Sequence, residues 1–175
     1  MKDKKGILLS TTLKVVIAVV CVVLLLIFGA KTYGMFQEES NLEKATKSLG
    51  EIHSAINKAE LSGEREETWI YSPTSWSIVA WPYEEDFRRP IECSRDKYCI
   101  CICDVNKIDL WITKIPLGKE TFLDSCNKKG VCIDIEGDFV KTINKNNQNI
   151  PVEIENPPMR LYVEKFSGGY NLIEG

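Results

Sequence analysis

Hydrophobic positions near the start of the chain form an unbroken run. Residues 15–30, VVIAVVCVVLLLIFGA, contain no charged residue and no proline. Apolar residues from Ile7 onward extend this run to about the 20 residues that a membrane-spanning helix needs. In hydrocarbon, every backbone amide has to be paired within its own segment, which leaves the α-helix as the structure of a single span. The pattern therefore predicts a transmembrane helix over residues 7–30.

Two other kinds of segment share part of this pattern. A cleaved secretory signal has a shorter apolar region followed by small residues at the cut, whereas the best site here, Phe28-Gly29-Ala30, has a bulky side chain at a specificity position. A buried helix of a soluble domain rarely contains an uncharged run of this length. The spanning helix is the interpretation that fits both the length and the composition.

Beyond residue 30, apolar positions recur at intervals of three and four, which is the spacing of one helix face. They are Leu42, Ala45, Leu49, Ile52 and Ile56, with charged residues between them. This spacing predicts an amphipathic helical stalk over residues 31–62, ended by Ser62, Gly63 and Glu64. A break at residues 34–40 is one alternative, and a continuous helix from residue 7 to about residue 59 is the other.

From residue 63 the pattern changes to short alternating runs separated by proline and glycine, which indicates strands. The predicted strands are residues 67–72, 75–81, 97–103, 108–115, 131–136, 152–155, 160–166 and 170–174. The first two are expected to form a hairpin across Ser-Pro-Thr, and the last two a hairpin across Ser167-Gly168-Gly169. Residues 119–126 are expected to form a helical turn. The predicted fold class is α+β, with a long N-terminal transmembrane and amphipathic helix followed by a small antiparallel β-sheet domain with disulfides.

Charge adds an orientation to this picture. Lys2, Lys4 and Lys5 precede the apolar run, whereas Glu38 and Glu39 follow it. Basic residues favour the cytoplasmic side of a span, so we expect a cytoplasmic N-terminus and an extracellular C-terminal domain in the cell membrane. The net charge of the whole chain is −3, and the acidic excess lies after the span. This excess argues against nucleic acid as a partner.

Cysteine usage supports an oxidising location for the C-terminal part. Cys21 lies within the span, and the other six cysteines all follow it: Cys93, Cys99, Cys101, Cys103, Cys126 and Cys132. An even number in an exported domain predicts a disulfide framework, whose connectivity stays open among 15 possibilities. On a strand, the cysteines of YCICIC would point to one face and the isoleucines to the other. Cysteines two apart on a strand are poorly placed to bridge each other, so each is expected to find its partner elsewhere.

A metal site is the alternative use of these thiols. Three thiols on one strand face, with Cys126 and Cys132 nearby, could hold zinc. Zinc sites commonly have two residues between paired cysteines, however, and none of these pairs has that spacing. The only histidine, His53, lies far away in the sequence. We therefore predict no metal and no other cofactor, and a membrane-tethered redox or metal module remains the third hypothesis for function.

The N-terminus carries a further pattern, with Lys4, Lys5 and Gly6 directly before the apolar residue Ile7. This arrangement resembles the class III signal of type IV pilins and their archaeal relatives. The resemblance covers about the first 60 residues and implies that a prepilin peptidase cuts after Gly6, which makes Ile7 the first mature residue. Bacterial members carry Glu at the fifth mature position, where this chain has Thr11, and archaeal members often lack that Glu. A plain basic flank that only sets membrane topology is the alternative interpretation.

Catalytic motifs are not found in the sequence. It contains no G-x-S-x-G, no phosphate-binding glycine loop and no H-E-x-x-H motif. The carboxylates at Glu84, Glu85 and Asp86 lie beside arginines and are typical of a solvated surface. Asp134, Glu136 and Asp138 alternate, but they lack the remaining ligands of a calcium loop. We therefore predict that the protein is not an enzyme and that it has no catalytic residues.

The sequence thus predicts four parts. Residues 1–6 are a basic cytoplasmic leader, 7–30 a transmembrane helix, 31–62 a helical stalk and 63–175 an extracellular, disulfide-stapled β-rich domain. The leading hypothesis is a pilin-like subunit or pseudopilin of an archaeal-type surface filament. Its expected partners are membrane lipid, copies of itself or related subunits that bind through the N-terminal helix, and a prepilin peptidase. The alternative is an uncleaved single-pass protein that presents an extracellular binding or sensing domain.

Overall fold

A computed structural model describes residues 11–82, 89–105, 119–136, 139–146, 148 and 150–175. Its elements, in chain order, are α1 (Thr11–Ser62), β1 (Glu66–Ile70), β2 (Trp76–Trp81), β3 (Tyr98–Asp104), α2 (Lys119–Lys129), β4 (Gly130–Ile135), β5 (Phe139–Ile143), β6 (Val152–Glu153), β7 (Met159–Phe166) and β8 (Gly169–Glu174). The predicted α+β class, a long apolar N-terminal helix followed by small sheets with disulfides, is confirmed. The strand predicted at residues 108–115 lies outside the described residues.

Helix α1 runs through 52 residues. The break at residues 34–40, which was one alternative from the sequence, is absent from these described residues. It ends where the sequence predicted, because Gly63 adopts a φ of 68° and its N–H donates to the carbonyl of Ala59 at 2.9 Å. A left-handed residue after the last turn closes a helix in this way, and glycine adopts that conformation without a steric penalty. The Ser62 hydroxyl accepts a hydrogen bond from the Glu64 N–H at 3.1 Å, which directs the chain into β1.

The chain divides into two units, Met1–Glu39 and Ser40–Gly175. Within the second unit, the predicted apolar stripe of α1 is buried at Ala45, Leu49, Ile52 and Ile56. It packs in one hydrophobic cluster, the main core, with residues from both sheets. Residues 40–62 therefore belong to the same compact unit as the sheets. The sequence pattern had placed the boundary between stalk and domain at residue 62.

The strands form two sheets of four. Sheet I has the order β1-β7-β8-β5, and sheet II has the order β4-β3-β2-β6. The predicted hairpin of the last two strands is confirmed, with β7 and β8 antiparallel and Gly168 at a φ of 114° between them.

The hairpin predicted for β1 and β2 is wrong. β1 pairs with β7 in sheet I, and β2 pairs with β3 and β6 in sheet II. Between them, Ser75 adopts a φ of 71° and donates its N–H to the carbonyl of Ile154 at 2.9 Å. Burial explains the separation: every residue of β2 is buried, whereas β1 alternates between buried and less buried positions. A strand buried on both faces needs a cover on each side, and a two-stranded hairpin does not supply one.

Two further elements differ from the sequence-based expectations. β5 had no predicted counterpart, and it pairs parallel to β8 in a sheet that was expected to be antiparallel. A Cβ atom on Gly169 would lie 1.9 Å from the carbonyl oxygen of Phe139, so this close approach of β5 and β8 requires glycine. The helical turn expected at residues 119–126 is the start of an 11-residue helix, α2.

Sheet II separates two hydrophobic clusters. Ile100 and Ile102 of β3 face the main core. The alternate residues of β3, Cys99, Cys101 and Cys103, lie in a second cluster, the cystine core, together with Val79, Trp81, Cys93, Val105 and Cys126. The predicted division of YCICIC into a cysteine face and an isoleucine face is confirmed.

An ionic contact joins the end of α1 to sheet I. The Lys165 ammonium lies 2.7 Å from a carboxylate oxygen of Glu60, and the Tyr170 hydroxyl donates to the same oxygen. Hydrogen bonds from Lys165 and from Tyr170 favour the charged carboxylate, and they hold the pKa of Glu60 below its usual range. Because Tyr170 is buried, this contact lies at the border of the main core.

We expect Ile52→Ala to lower the free energy of unfolding by about 2–5 kcal/mol, because it leaves a cavity at a fully buried position of the stripe. Lys47→Ala, at an exposed position of the same helix, is the matched control and should stay within about 0.5 kcal/mol of the wild type. Tryptophan fluorescence during denaturant unfolding of the full chain in detergent measures both. Equal stability of the two variants would contradict the packing of the stripe.

We expect Glu60→Gln to flatten the acid end of the stability profile. A carboxyl whose pKa is lowered by folding stabilises the fold above its unfolded pKa, near 4.5, and this contribution is lost as the pH falls through the folded pKa. The variant should therefore be less stable than the wild type at neutral pH, and the two should converge in acid. Glu51→Gln, at an exposed position of α1, is the control and should keep the slope of the wild type. Parallel profiles of wild type and Glu60→Gln would refute the expectation.

Candidate functional site

The first candidate site is the bare apolar surface of α1, which we call the apolar segment and which comprises residues 13–36. All its residues are exposed. The exposed fraction reaches 71% at Leu25, 68% at Leu26 and 67% at Phe28. Burial of each such side chain is worth about 1.5–3 kcal/mol. Over a segment of this length the sum exceeds the net stability of a typical domain, which is about 5–15 kcal/mol. This exposed surface is therefore compatible with a cover of lipid or of other apolar helices.

The C-terminal end of the apolar segment has features typical of a membrane interface. The Thr32 hydroxyl donates to the carbonyls of Phe28 and Gly29, each at 3.0 Å, so this polar group is satisfied within the helix. Tyr33 and Phe36 are more than two-thirds exposed, and aromatic residues are enriched where a helix leaves the hydrocarbon. These residues precede the acidic positions at the end of the first unit.

Among the described residues, α1 is the one helix long and apolar enough to cross a membrane. This property is compatible with a single-pass membrane anchor. The predicted cleavage residues Lys4, Lys5, Gly6 and Ile7 lie outside the described residues, and cleavage after Gly6 stays a prediction.

The second candidate site is the cystine core. The structure pairs Cys93 with Cys99, Cys101 with Cys132, and Cys103 with Cys126, at Cα–Cα distances of 5.8, 4.1 and 4.9 Å. Each cysteine of β3 has a partner on a different element, as the alternation of the strand requires.

Local geometry explains two of these pairs. Cys101 and Cys132 lie directly opposite each other on β3 and β4, the closest placement that a sheet offers. Cys126 reaches Cys103 because α2 passes into β4 without a connecting loop at Gly130. A Cβ atom on Gly130 would lie 2.6 Å from the Cys126 carbonyl and 3.0 Å from the Cys103 sulfur, so glycine permits this junction.

The loop that carries Cys93 is held by hydrogen bonds of its own. The Cys93 N–H donates to the carbonyl of Pro90 at 3.0 Å. The Ser94 N–H donates to an Asp134 carboxylate oxygen at 3.0 Å, and the Ser94 hydroxyl donates to the other oxygen of the same carboxylate. The Arg89 guanidinium donates to the carbonyls of Ser94 and Lys97.

These contacts revise the role of the acidic residues near this loop. Asp134 is engaged with Ser94, and Glu136 forms an ion pair with Lys97 at 2.8 Å. The hydrogen bond and the opposite charge raise the pKa of Lys97 and lower the pKa of Glu136. Both carboxylates are therefore bound to other groups of the protein, Asp134 to Ser94 and Glu136 to Lys97. The other members of the two acidic sets, Glu84, Glu85, Asp86 and Asp138, lie outside the described residues.

A third feature is an open cavity of about 320 Å³ at the edge of sheet I. Trp69 lines it, with the Arg160 guanidinium 5.1 Å from the centre of its ring. The Lys145 ammonium lies 2.8 Å from Glu174 and 3.9 Å from Glu155. Sequence reasoning missed this cavity because its residues come from strands far apart in the chain. Its charged groups neutralise one another, so the geometry indicates no ligand class.

Comparisons with protein-family models, with curated proteins and with solved structures found no match to this chain.

Proposed function

We propose that the chain is a pilin-like subunit of an archaeal-type surface filament, anchored in the membrane by its apolar segment until it assembles. The role is structural, not enzymatic. The partners are membrane lipid, further copies or related subunits that bind through α1, and a prepilin peptidase that removes the basic leader after Gly6. The compact unit, whose surface is charged, would stay in contact with water outside the cell.

One observation carries this proposal. A single unbroken helix contains both a bare apolar segment and a second half whose stripe is buried in a folded unit. A pilin subunit needs this combination, because the same helix has to bind its own domain and remain available to lipid or to other helices. The basic residues and Gly6 before the apolar segment add the processing signal that such subunits carry.

Assembly follows from the chemistry of the apolar segment. Lipid tails are as apolar as valine and leucine side chains, so a helix leaves the bilayer for a helix bundle without large loss or gain of apolar burial. Close packing of side chains then decides the equilibrium. The apolar segment offers valine, isoleucine and leucine from Leu13 to Ile27, together with small residues at Gly29 and Gly34 that have open space around them.

We expect Gly6→Val to block leader removal. The full chain is produced in a membrane host with an archaeal prepilin peptidase, and the intact mass of the purified protein is measured. The wild type should start at Ile7, whereas the variant should retain residues 1–6. Gly29→Ala, at a glycine with open space around it, is the control and should be processed as the wild type is. A wild-type chain that still starts at Met1 would contradict the proposal and favour the uncleaved anchor.

We expect Leu25→Lys to abolish filament assembly of the processed chain. A lysine in the middle of the apolar segment costs about 2.5–3.5 kcal/mol in a membrane-like environment, and every subunit of a filament would carry it. Leu61→Lys makes the same change at an 89% exposed position of α1 within the compact unit, and it should assemble normally. Detergent is removed, and filaments are counted by electron microscopy.

Two results would contradict the filament role. One is a processed wild type that forms no filaments after detergent removal. The other is equal assembly of the Leu25→Lys and Leu61→Lys variants, which would show that the apolar segment is not the assembly surface. In the first case, retention of the protein in the membrane fraction would favour an anchored binding or sensing domain.

A further inference from the structure

Four cysteine sulfurs converge at one point of the cystine core. The Sγ atoms of Cys93, Cys99, Cys101 and Cys132 all lie within 4.8 Å of one another. They belong to two different disulfides that touch: the Cys101 sulfur lies 3.7 Å from that of Cys93 and 3.8 Å from that of Cys99. Two disulfides of a small domain need not meet in this way, so the convergence is a specific feature of this site.

These distances match the geometry of a metal site. Thiolates bind zinc tetrahedrally at about 2.3 Å, which places neighbouring sulfurs about 3.8 Å apart. The contacts between the two disulfides already have this spacing. The sulfurs of each disulfide, Cys93–Cys99 and Cys101–Cys132, would have to move apart to the same spacing after reduction. Rotation of the four cysteine side chains would produce this movement.

The backbone that carries the four side chains is also held by contacts other than the disulfides. Cys99 and Cys101 lie on β3, and Cys132 lies on β4 directly opposite Cys101, where the pairing of the two strands holds all three. Cys93 is placed by its own hydrogen bond to Pro90 and by the attachment of Ser94 to Asp134. Because these contacts do not involve the sulfurs, we expect them to keep the four Cβ atoms close together after reduction.

Burial adds the dry environment that favours metal–thiolate bonds. Cys99 and Cys101 have no exposed surface and Cys93 is 8% exposed, whereas Cys132 is half-buried and gives access from outside. A second group of three sulfurs, Cys101, Cys103 and Cys126, shares Cys101 with the first. Four thiolates complete the tetrahedral shell of a structural zinc site and three do not, so the first group is the stronger ligand set.

We propose that, once an external thiol or phosphine has reduced the disulfides with two electrons each, the chain binds one soft divalent cation, zinc or a chemical equivalent, through the thiolates of Cys93, Cys99, Cys101 and Cys132. Binding converts four thiols to four metal-bound thiolates and releases four protons, with no change in oxidation state. The metal site and the two disulfides exclude each other, because they use the same four sulfurs. This inference does not depend on filament assembly, and it leaves the thiols of Cys103 and Cys126 outside the site.

The test uses the full chain in detergent with Cys21→Ala, so that the thiol of the span does not contribute. The protein is reduced with a phosphine, freed of the reductant without oxygen and titrated with Co²⁺ and then with Zn²⁺. We expect one equivalent of Co²⁺ to give the charge-transfer and visible bands of a tetrahedral thiolate site. One equivalent of Zn²⁺ should remove these bands. The oxidised chain should give none of them.

Variants separate the two sulfur groups. Cys93→Ser and Cys132→Ser should each lose the four-thiolate spectrum. Cys103→Ser and Cys126→Ser are the matched controls, and they should retain it with unchanged stoichiometry. The inference is overturned if the reduced wild-type chain gives no tetrahedral spectrum or if the oxidised chain gives the same one. It is also overturned if Cys103→Ser or Cys126→Ser loses the spectrum while Cys93→Ser keeps it.

Discussion

Strand β3 has to be buried on both faces, and the rest of the compact unit is arranged around this constraint. Ile100 and Ile102 occupy the main core, so that α1 and sheet I cover one side of sheet II. The other side carries three cysteines, which are small and leave little apolar volume of their own. Disulfides to the Cys93 loop and to α2 bring two covers onto this face, and the third disulfide joins β3 to its neighbour β4 within the sheet. Covalent bonds here supplement the hydrophobic core of the compact unit.

The same helix meets two different environments, and its sequence changes pattern accordingly. Over the apolar segment, apolar residues surround the whole helix, as expected where the solvent is itself apolar. From Ala45 onward they are restricted to one stripe, and the stripe is buried. Because α1 has no break between the two patterns, the anchor and the stripe are parts of one covalent and hydrogen-bonded element. Substitutions in the stripe therefore test the fold, and substitutions in the apolar segment test the environment around it.

Local patterns in the sequence predicted what depends on local geometry. The helix, the end of the helix at Gly63, the stripe and the two faces of β3 follow from periodicity and from the steric freedom of glycine. The pairing of β1 and β2 could not be predicted, because the turn at Ser75 fits either a hairpin or a passage between sheets. Burial of β2 on both faces, which decides between them, depends on elements distant in the sequence.

The cystine core shows the same limit. The sequence placed Cys99, Cys101 and Cys103 on one face, and this placement predicted that each would find its disulfide partner elsewhere than on the same strand. It did not predict that Cys93 would join Cys99, Cys101 and Cys132, because the spacing of these residues matches no common metal motif. Their convergence depends on the attachment of Ser94 to Asp134, a contact between residues 40 positions apart. A contact between residues so far apart produces no periodic pattern in a single sequence.

Exposed apolar area alone does not distinguish an anchor from a filament subunit. A lipid-covered helix and a helix in a bundle bury the same side chains, so the difference in free energy between them rests on packing and on charge. The leader carries three of the charges near the apolar segment, at Lys2, Lys4 and Lys5. In a bundle of parallel helices these ammonium groups would gather at one level, where like charges repel, whereas at a membrane surface anionic lipid attracts them. The proposed cleavage after Gly6 would remove these three charges, and it would thereby shift the same apolar segment from lipid toward other helices.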